Sequence, residues 1–506
     1  MHRCLRIAEV VQVIADGIHL YSDLVSMGLT CRAFFDPAMD RLWRYLPAPE
    51  PLIRLLPEHV RGSEPADELK IMKQPSREDW KRFEQYARRV WELDYRLVID
   101  DDGNTCLDID WTSILRHYPG EQLLPNLRTL ATDQIFLPSF SPLVIRSPLR
   151  HLVFECMEGD DQLPIAPHLH KCATTLQILS ILAPTPEDEN VSDEMSDAIS
   201  RLEALTSLYT DKLFASTIEH LSHLSCLTEL SFTLHNTSVF KVQRLPFSKL
   251  EDLHVRTHEK DPKSLVAFLR RVESPNLHQL TVSYDVKDDH VLPGRLLRAN
   301  QYPTAVHVGA VLAAAATFPG LHNIAYEGSS GISRPPPLGS LCAASVLRPL
   351  AVLPSLEEIK LACIPFILMP NDVEFLAQTW PRLRSLSLGS EVRGAHASVQ
   401  VHDLLPFARC PDLKSLGLPL LVLKDSPGAT ERPAFGELES SLETLYIGNV
   451  ATVEYSPDVA AFLACAFPDA WLYAYDNHSD AFSALLMTKK TMVDMMKKEL
   501  ALRGGA

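Results

Sequence analysis

The sequence predicts an α/β chain in which a small N-terminal helical unit precedes a solenoid, a curved parallel sheet with helices on its convex side. Three observations lead there. The phrase Leu-x-x-(Leu/Ile) recurs from residue 127 onward. Amphipathic helical segments precede several copies and end at a proline. Short stretches of alternating apolar and polar residues follow the phrase.

The repeats begin at Leu127, Leu149, Leu176, Leu205, Leu227, Leu250, Leu277, Leu321, Leu356, Leu383, Leu413 and Leu442. Most intervals are roughly 22–30 residues, the spacing of leucine-rich repeats. Those after Leu277 and Leu321 are longer and imply insertions. Copies at Pro125, Pro275, Pro319, Pro354, Pro381 and Pro411 carry the fuller form Pro-x-Leu-x-x-(Leu/Ile), and Pro468 opens a degenerate last copy with Trp471 and Leu472. Leu265, Phe268, Leu269 and Val272 have the i, i+3, i+4, i+7 spacing of one helix face. So do Val373, Leu376, Ala377 and Trp380, and again Val459, Phe462, Leu463 and Ala466. Proline has no N–H to continue such a helix and drives its predecessor toward extended geometry. Leu280-Thr281-Val282, Leu386-Ser387-Leu388 and Leu445-Tyr446-Ile447 then read as strands. Helix, proline turn and strand make one repeat, and stacked repeats bury their leucines in a continuous core.

In that geometry the residues between the leucines face the concave side. The candidate partner-binding positions are His254, Arg256, Gln279, Thr281, Glu358, Lys360, Ser385, Ser387, Thr444 and Tyr446. Residues 184–197, 285–304 and 328–339 read as loops that interrupt the array. The stretch from Asp480, with Phe482, Leu485, Leu486 and lysines including Lys489 and Lys497, reads as a C-terminal helical cap or tail.

Ahead of the repeats the chain reads as three short helices. Ile7, Val10, Val11 and Ile14 share one helical face. Ser22 or Asp23 is expected to cap a second helix through Leu24 and Leu29, and Asp36-Pro37 to start a third with Leu42 and Trp43. A unit this small has a thin core and needs a partner over its remaining apolar face. A polar linker over 63–77 and an amphipathic helix over 79–94 follow. That helix carries Trp80, Phe83, Ala87, Val90 and Trp91 on one side, with Lys81, Arg82, Arg88 and Arg89 mostly solvated.

Cys4-Leu5-x-Ile7-x-x-Val10-Val11-x-x-Ile14, Asp23-Leu24, Leu29-Thr30-Cys31-Arg32 and Leu42-Trp43-Arg44 together resemble an F-box, with Cys4-Leu5 standing where many F-boxes have Leu-Pro. Thr-Cys-Arg-Ala-Phe-x-Asp-Pro-Ala, and the later Asp79-Trp80-x-Arg82-Phe83-x-x-Tyr86-Ala87-Arg88-Arg89-Val90, are similar to the expanded F-box families of mushroom-forming fungi. The resemblance implies a substrate-recognition subunit of a Skp–cullin–F-box ubiquitin ligase. Its adaptor-binding residues would be Leu5, Ile7, Val10, Val11, Ile14, Asp23, Leu24, Leu29, Cys31, Leu42 and Trp43. The partners it implies are a Skp-type adaptor, through it a cullin, and a substrate protein held by the repeats. The alternative is an F-box or leucine-rich-repeat interaction scaffold without ubiquitin transfer. The expected domains are 1–56 (F-box), 57–110 (linker and connecting helix), 111–475 (solenoid) and 476–506 (cap or tail).

Lys+Arg number 48 against 64 Asp+Glu, a net charge of -16, which opposes nucleic acid as the main ligand while leaving room for local basic patches. The ten cysteines are scattered with no Cys-x-x-Cys, as expected of reduced thiols in a cytoplasmic or nuclear protein. No signal peptide is evident, and the small-apolar run at residues 305–318 is too short to span a bilayer. Neither a phosphate loop nor His-Glu-x-x-His occurs. Residues 100–104 resemble a calcium loop but place Val98 and Ile109 at its first and twelfth positions. His168-x-His170-x-Cys172 lacks a fourth metal ligand nearby. Residues 328–331, Gly-Ser-Ser-Gly, do not form a nucleophile elbow. The expectation is a non-catalytic chain without cofactor or metal.

Overall fold

A computed structural model describes residues 3–61, 68–69, 71–96, 108–133, 148–156, 165–182, 193–234, 240–258, 262–284, 305–328, 341–361, 364, 366–389, 399–418, 433–438, 440–447, 457–474 and 480–504. The chain forms two compact units, Met1–Leu227 and Thr228–Ala506, and parallel strands of the solenoid type expected over 111–475 occur in both.

In the N-terminal unit three helices, Ala8–Asp16, Tyr21–Thr30 and Arg32–Arg44, come first. Two starts differ from expectation. The second helix begins at Tyr21 with Leu20 before it, so Asp23 lies in the first turn, where its charge still favours the free N–H groups. The third begins at Arg32, leaving Pro37 inside it. An internal proline costs about 3 kcal/mol. It is offset here by close packing of the second and third helices: a Cβ on Gly28 would stand 3.2 Å from Met39 Cε and 3.4 Å from Ala38 Cβ.

The parallel sheet of this unit starts well before residue 111. Tyr45–Leu46 pairs with Glu92–Tyr95, which pairs with Thr129–Asp133, and His151–Glu155, Ile178–Leu182 and Ser207–Lys212 follow in order. The connecting helix is Arg77–Ala87, shorter than the expected 79–94, because Val90 and Trp91 already lead into the strand Glu92–Tyr95. Ser76 and Asp79 form a reciprocal capping box at its start.

In the second unit the strands Glu229–Leu234, Asp252–Thr257, Gln279–Tyr284, Asn323–Gly328, Glu358–Leu361, Ser385–Leu388, Ser415–Leu418, Thr444–Ile447 and Trp471–Ala474 are parallel neighbours in sequence order. The helices Lys263–Leu269, Pro370–Thr379 and Pro457–Ala466 fall where the periodicity places them. Leu280, Leu386, Leu416 and Leu445 lie in one buried row of this unit, as the helix–proline–strand phrase requires. Replacing Leu416 or Leu445 by Ala is expected to cost roughly 2–5 kcal/mol in chemical denaturation.

The segment after Asp480 is one helix, Asp480–Gly504, which packs on Pro457–Ala466 and buries Phe482 and Leu485. Its Lys489 is buried and donates to Ala470 O at 2.6 Å and Pro468 O at 3.2 Å, while Lys497 pairs with Asp469 at 2.8 Å. Burial lowers the Lys489 ammonium from 10.5 to about 8, with Asp469 opposing the shift. Between those values the unfolded chain keeps a proton that the folded chain releases, so this lysine makes stability rise with pH. Thermal unfolding from pH 7 to 10 should show a rise that Lys489→Met flattens; parallel curves for the two proteins would refute the assignment.

Candidate partner-binding surfaces

Two surfaces emerge, one on the helical unit and one on the sheet of the second unit. The F-box-like positions divide sharply by burial. Val11, 1% exposed, and Leu24 lie in the helical unit's own core, so they are not available at its surface as the resemblance would have them. Leu5, Val10, Cys31, Leu42 and Trp43 are half-buried, and Asp23 is exposed. Ile7, Ile14 and Leu29, the last 79% exposed, point outward together with Val13, Leu20, Tyr21, Val25 and Phe35. Such a density of large apolar side chains on the surface of a small unit makes this face the candidate contact surface of the helices.

The helical unit is fastened to the connecting helix. Trp43 and Tyr86 have ring centroids 4.7 Å apart. Arg89 is not solvated as expected. Its side chain is only 12% exposed, pairs with Asp36 at 2.7 Å and with Asp40, and also donates to Asp36 O at 3.1 Å.

All ten candidate positions on the second unit's sheet fall between the buried leucines. His254, Thr281, Lys360, Ser387 and Tyr446 occupy a single row that includes Ser231, Ala325, Gly417 and Tyr473. Gln279, Glu358, Ser385 and Thr444 share the next row with Asn323, Ser415 and Trp471. Arg256 lies in a third, beside Ser283. The face changes character along its length. At the early strands His254 sits between two hydroxyls, Ser231 Oγ at 3.3 Å from Nδ1 and Ser283 Oγ at 2.8 Å from Nε2. Lys360 pairs with Glu327 at 2.8 Å. At the last strands Tyr446 stacks on Tyr473 with centroids 5.0 Å apart, and Trp471 is 71% exposed beside them.

Trp471 and Tyr473 are the surface residues that sequence reasoning missed. The alternation Trp-Leu-Tyr carried the signal, but the last copy reads as degenerate and its interleaved residues were not assigned to the face. Of the candidate metal ligands, the Cys172 thiol is buried, donates to Leu169 O at 3.4 Å and is pushed up to about 11 by burial. Burial also lowers the pKa of His168. Among the described residues no group of three or more His, Cys, Asp or Glu side chains is placed to hold a metal, and no helix is long and apolar enough to cross a membrane. Residues 100–104, 285–304 and 329–339 lie outside the described residues, as does 184–192; residues 193–199 of that first expected loop form the helix Asp193–Ile199.

No known protein family matches the chain, and no curated protein matches it. Among solved structures, it is similar to a crystal structure of the Rad7 and Elc1 complex in yeast, with 12% identity over 81% of this chain and 93% of that chain and a TM-score of 0.30.

Replacing Arg89 by Ala should lower stability by about 1–2 kcal/mol, since a charge-assisted contact is lost but the aspartates stay partly solvated. An unchanged thermal midpoint would show that the ion pairs do not hold the two helical elements together.

Proposed function

We propose that the chain is a non-catalytic substrate receptor of a Skp–cullin–F-box ubiquitin ligase. In this reading the three N-terminal helices are an F-box that docks a Skp-type adaptor and, through it, a cullin. The observation that carries it is the exposed apolar set around Ile7, Ile14 and Leu29, at positions where the sequence resembles an F-box. A partner covering that set would complete the core that so small a unit lacks.

The open face of the second unit would hold the substrate protein. Aromatic residues with large rigid surfaces favour such a role, and Tyr446, Tyr473 and Trp471 supply three at one end. Transfer of ubiquitin would then follow from proximity: a tethered lysine meets the charged conjugating enzyme at raised effective concentration. This chain contributes no reacting group, needs no cofactor, and acts in the cytoplasm or nucleus.

The burial pattern separates binding from folding. Ile14→Asp with Leu29→Asp should reduce adaptor co-purification at least about tenfold, because charges would be buried at the interface without partners. Circular dichroism and thermal midpoint should stay near wild type. Val11→Asp should instead unfold the helical unit. Wild-type adaptor yield from the exposed double variant would sink the F-box reading. Adaptor binding without ubiquitin transfer to a captured partner would leave a scaffold in place of a ligase receptor. Tyr446→Ala with Trp471→Ala should weaken substrate capture and spare the adaptor; capture at wild-type level would move the substrate site elsewhere.

A further inference from the structure

We propose that the strand-start arginines of the N-terminal unit form a binding site for a phosphate monoester carried on a partner protein. Arg44, Trp91, Arg128 and Arg150 immediately precede four adjacent strands and follow one another through backbone bonds: Trp91 N to Arg44 O at 2.9 Å, Arg128 N to Trp91 O at 2.8 Å, and Arg150 N to Arg128 O at 2.8 Å. The Arg44 and Arg128 guanidinium carbons lie 4.9 Å and 4.0 Å from the Trp91 ring centroid. Arg150 is exposed on the next strand, about 4.8 Å further along.

The charge on this row is only partly compensated. Glu92, 3.8 Å from Arg44, is the one carboxylate paired with it, and Arg128 and Arg150 make no ion pair among the described residues. The equivalent row of the second unit is neutralised, with Arg384 on Glu357 at 3.2 Å and Lys414 on Glu443 at 2.9 Å. Like charges at ladder spacing repel, and in a chain of net charge -16 acids for pairing are plentiful. Two adjacent arginines without ion pairs, Arg128 and Arg150, with Arg44 across the Trp91 ring, therefore favour an anion that comes from outside.

The geometry suits a phosphate. The Trp91 ring restrains the two guanidinium groups that lie over it, which lowers the ordering cost of binding. Arg128 and Arg150, one strand apart, can both direct forked donors at a single tetrahedral anion. A phosphate monoester offers three acceptor oxygens and nearly two charges, more than a carboxylate can. Protein is the favoured carrier. A long polyanion meets the repulsion of the whole acidic chain, and the tryptophan is already stacked against arginines from both neighbouring strands, where nucleobase binding calls for an open aromatic face.

The site uses none of the exposed apolar residues of the three-helix unit, so it stands or falls separately from the adaptor reading. The test uses the full chain and beads bearing a degenerate peptide library with a fixed phosphoserine. Twin libraries carry serine or glutamate, and poly(U) RNA forms a fourth arm. The phosphoserine beads should retain the protein at least about tenfold better than the others, with release by millimolar inorganic phosphate. Arg150→Ala, at an exposed side chain with no ion pair among the described residues, should lose that retention at an unchanged thermal midpoint. Arg128→Lys should lose most of it, since the charge remains but the fork does not. Equal or absent retention on all beads, wild-type retention by both variants, or preference for RNA would each overturn the proposal.

Discussion

Within each unit, one repeat is fastened to the next through one carbonyl. Trp91 O accepts from Arg128 N at 2.8 Å and Thr129 N at 3.0 Å; Glu251 O accepts from His278 N at 2.9 Å and Gln279 N at 3.1 Å; Lys414 O accepts from Glu443 N at 2.8 Å and Thr444 N at 2.9 Å. A carbonyl has two lone pairs, and here both are used. Where it is made, the double bond sets the phase in which the strand enters its sheet. A slip of one residue would turn the buried leucine row outward and the polar rows into the core, so the register is strongly specified.

The neighbouring positions are free to specialise because the backbone carries the fastening. Just before the strands, polar side chains reach back to the preceding turn: Asn126 to Arg88 O at 2.6 Å, Asn276 to Ser248 O at 2.9 Å, Ser355 to Leu321 O at 3.1 Å and Ser441 to Leu413 O at 3.0 Å. Gly320 occupies this place once, where a Cβ would stand 3.1 Å from Pro275 O and 3.3 Å from Leu277 O, and there the turns close backbone on backbone. The residue that gives its carbonyl does so through the backbone, so its side chain can vary from repeat to repeat. It is Trp91, Arg128, Arg150 or Gln177 in one unit, and a paired acid and base in several repeats of the other.

The leucine rows were legible in the sequence because burial imposes a phase on every copy, and Leu280, Leu386, Leu416 and Leu445 obey it. The early strands were not. Tyr45–Leu46 is two residues long, with no proline phrase before it. Phe83, Ala87, Val90 and Trp91 keep a helical spacing past the point where the helix ends, and only the alternation Glu92-Leu93-Asp94-Tyr95 betrays the strand. The helix starts at Tyr21 and Arg32 lack side-chain caps, so no local signal marked them. In the F-box-like segment the motif names residues without saying which way they face. Val11 and Ile14 are both β-branched positions on one helical stripe, and only packing against the third helix buries the first and exposes the second.

The C-terminal end shows what the carbonyl ladder demands when it stops. Ala470 O holds the place from which the inner repeats of this unit bond to their successors, and among the described residues no successor follows it in this sheet. An orphaned buried carbonyl is costly. Lys489 supplies the missing donor from the last helix, and the ammonium tolerates burial because two carbonyls receive it. The cap therefore does more than shield apolar surface. It holds in place the strand that displays Trp471 and Tyr473, so the most aromatic part of the open face depends on a helix that packs on the other side of the repeat. An end strand needs this arrangement, since among the described residues it has a paired neighbour on one side only.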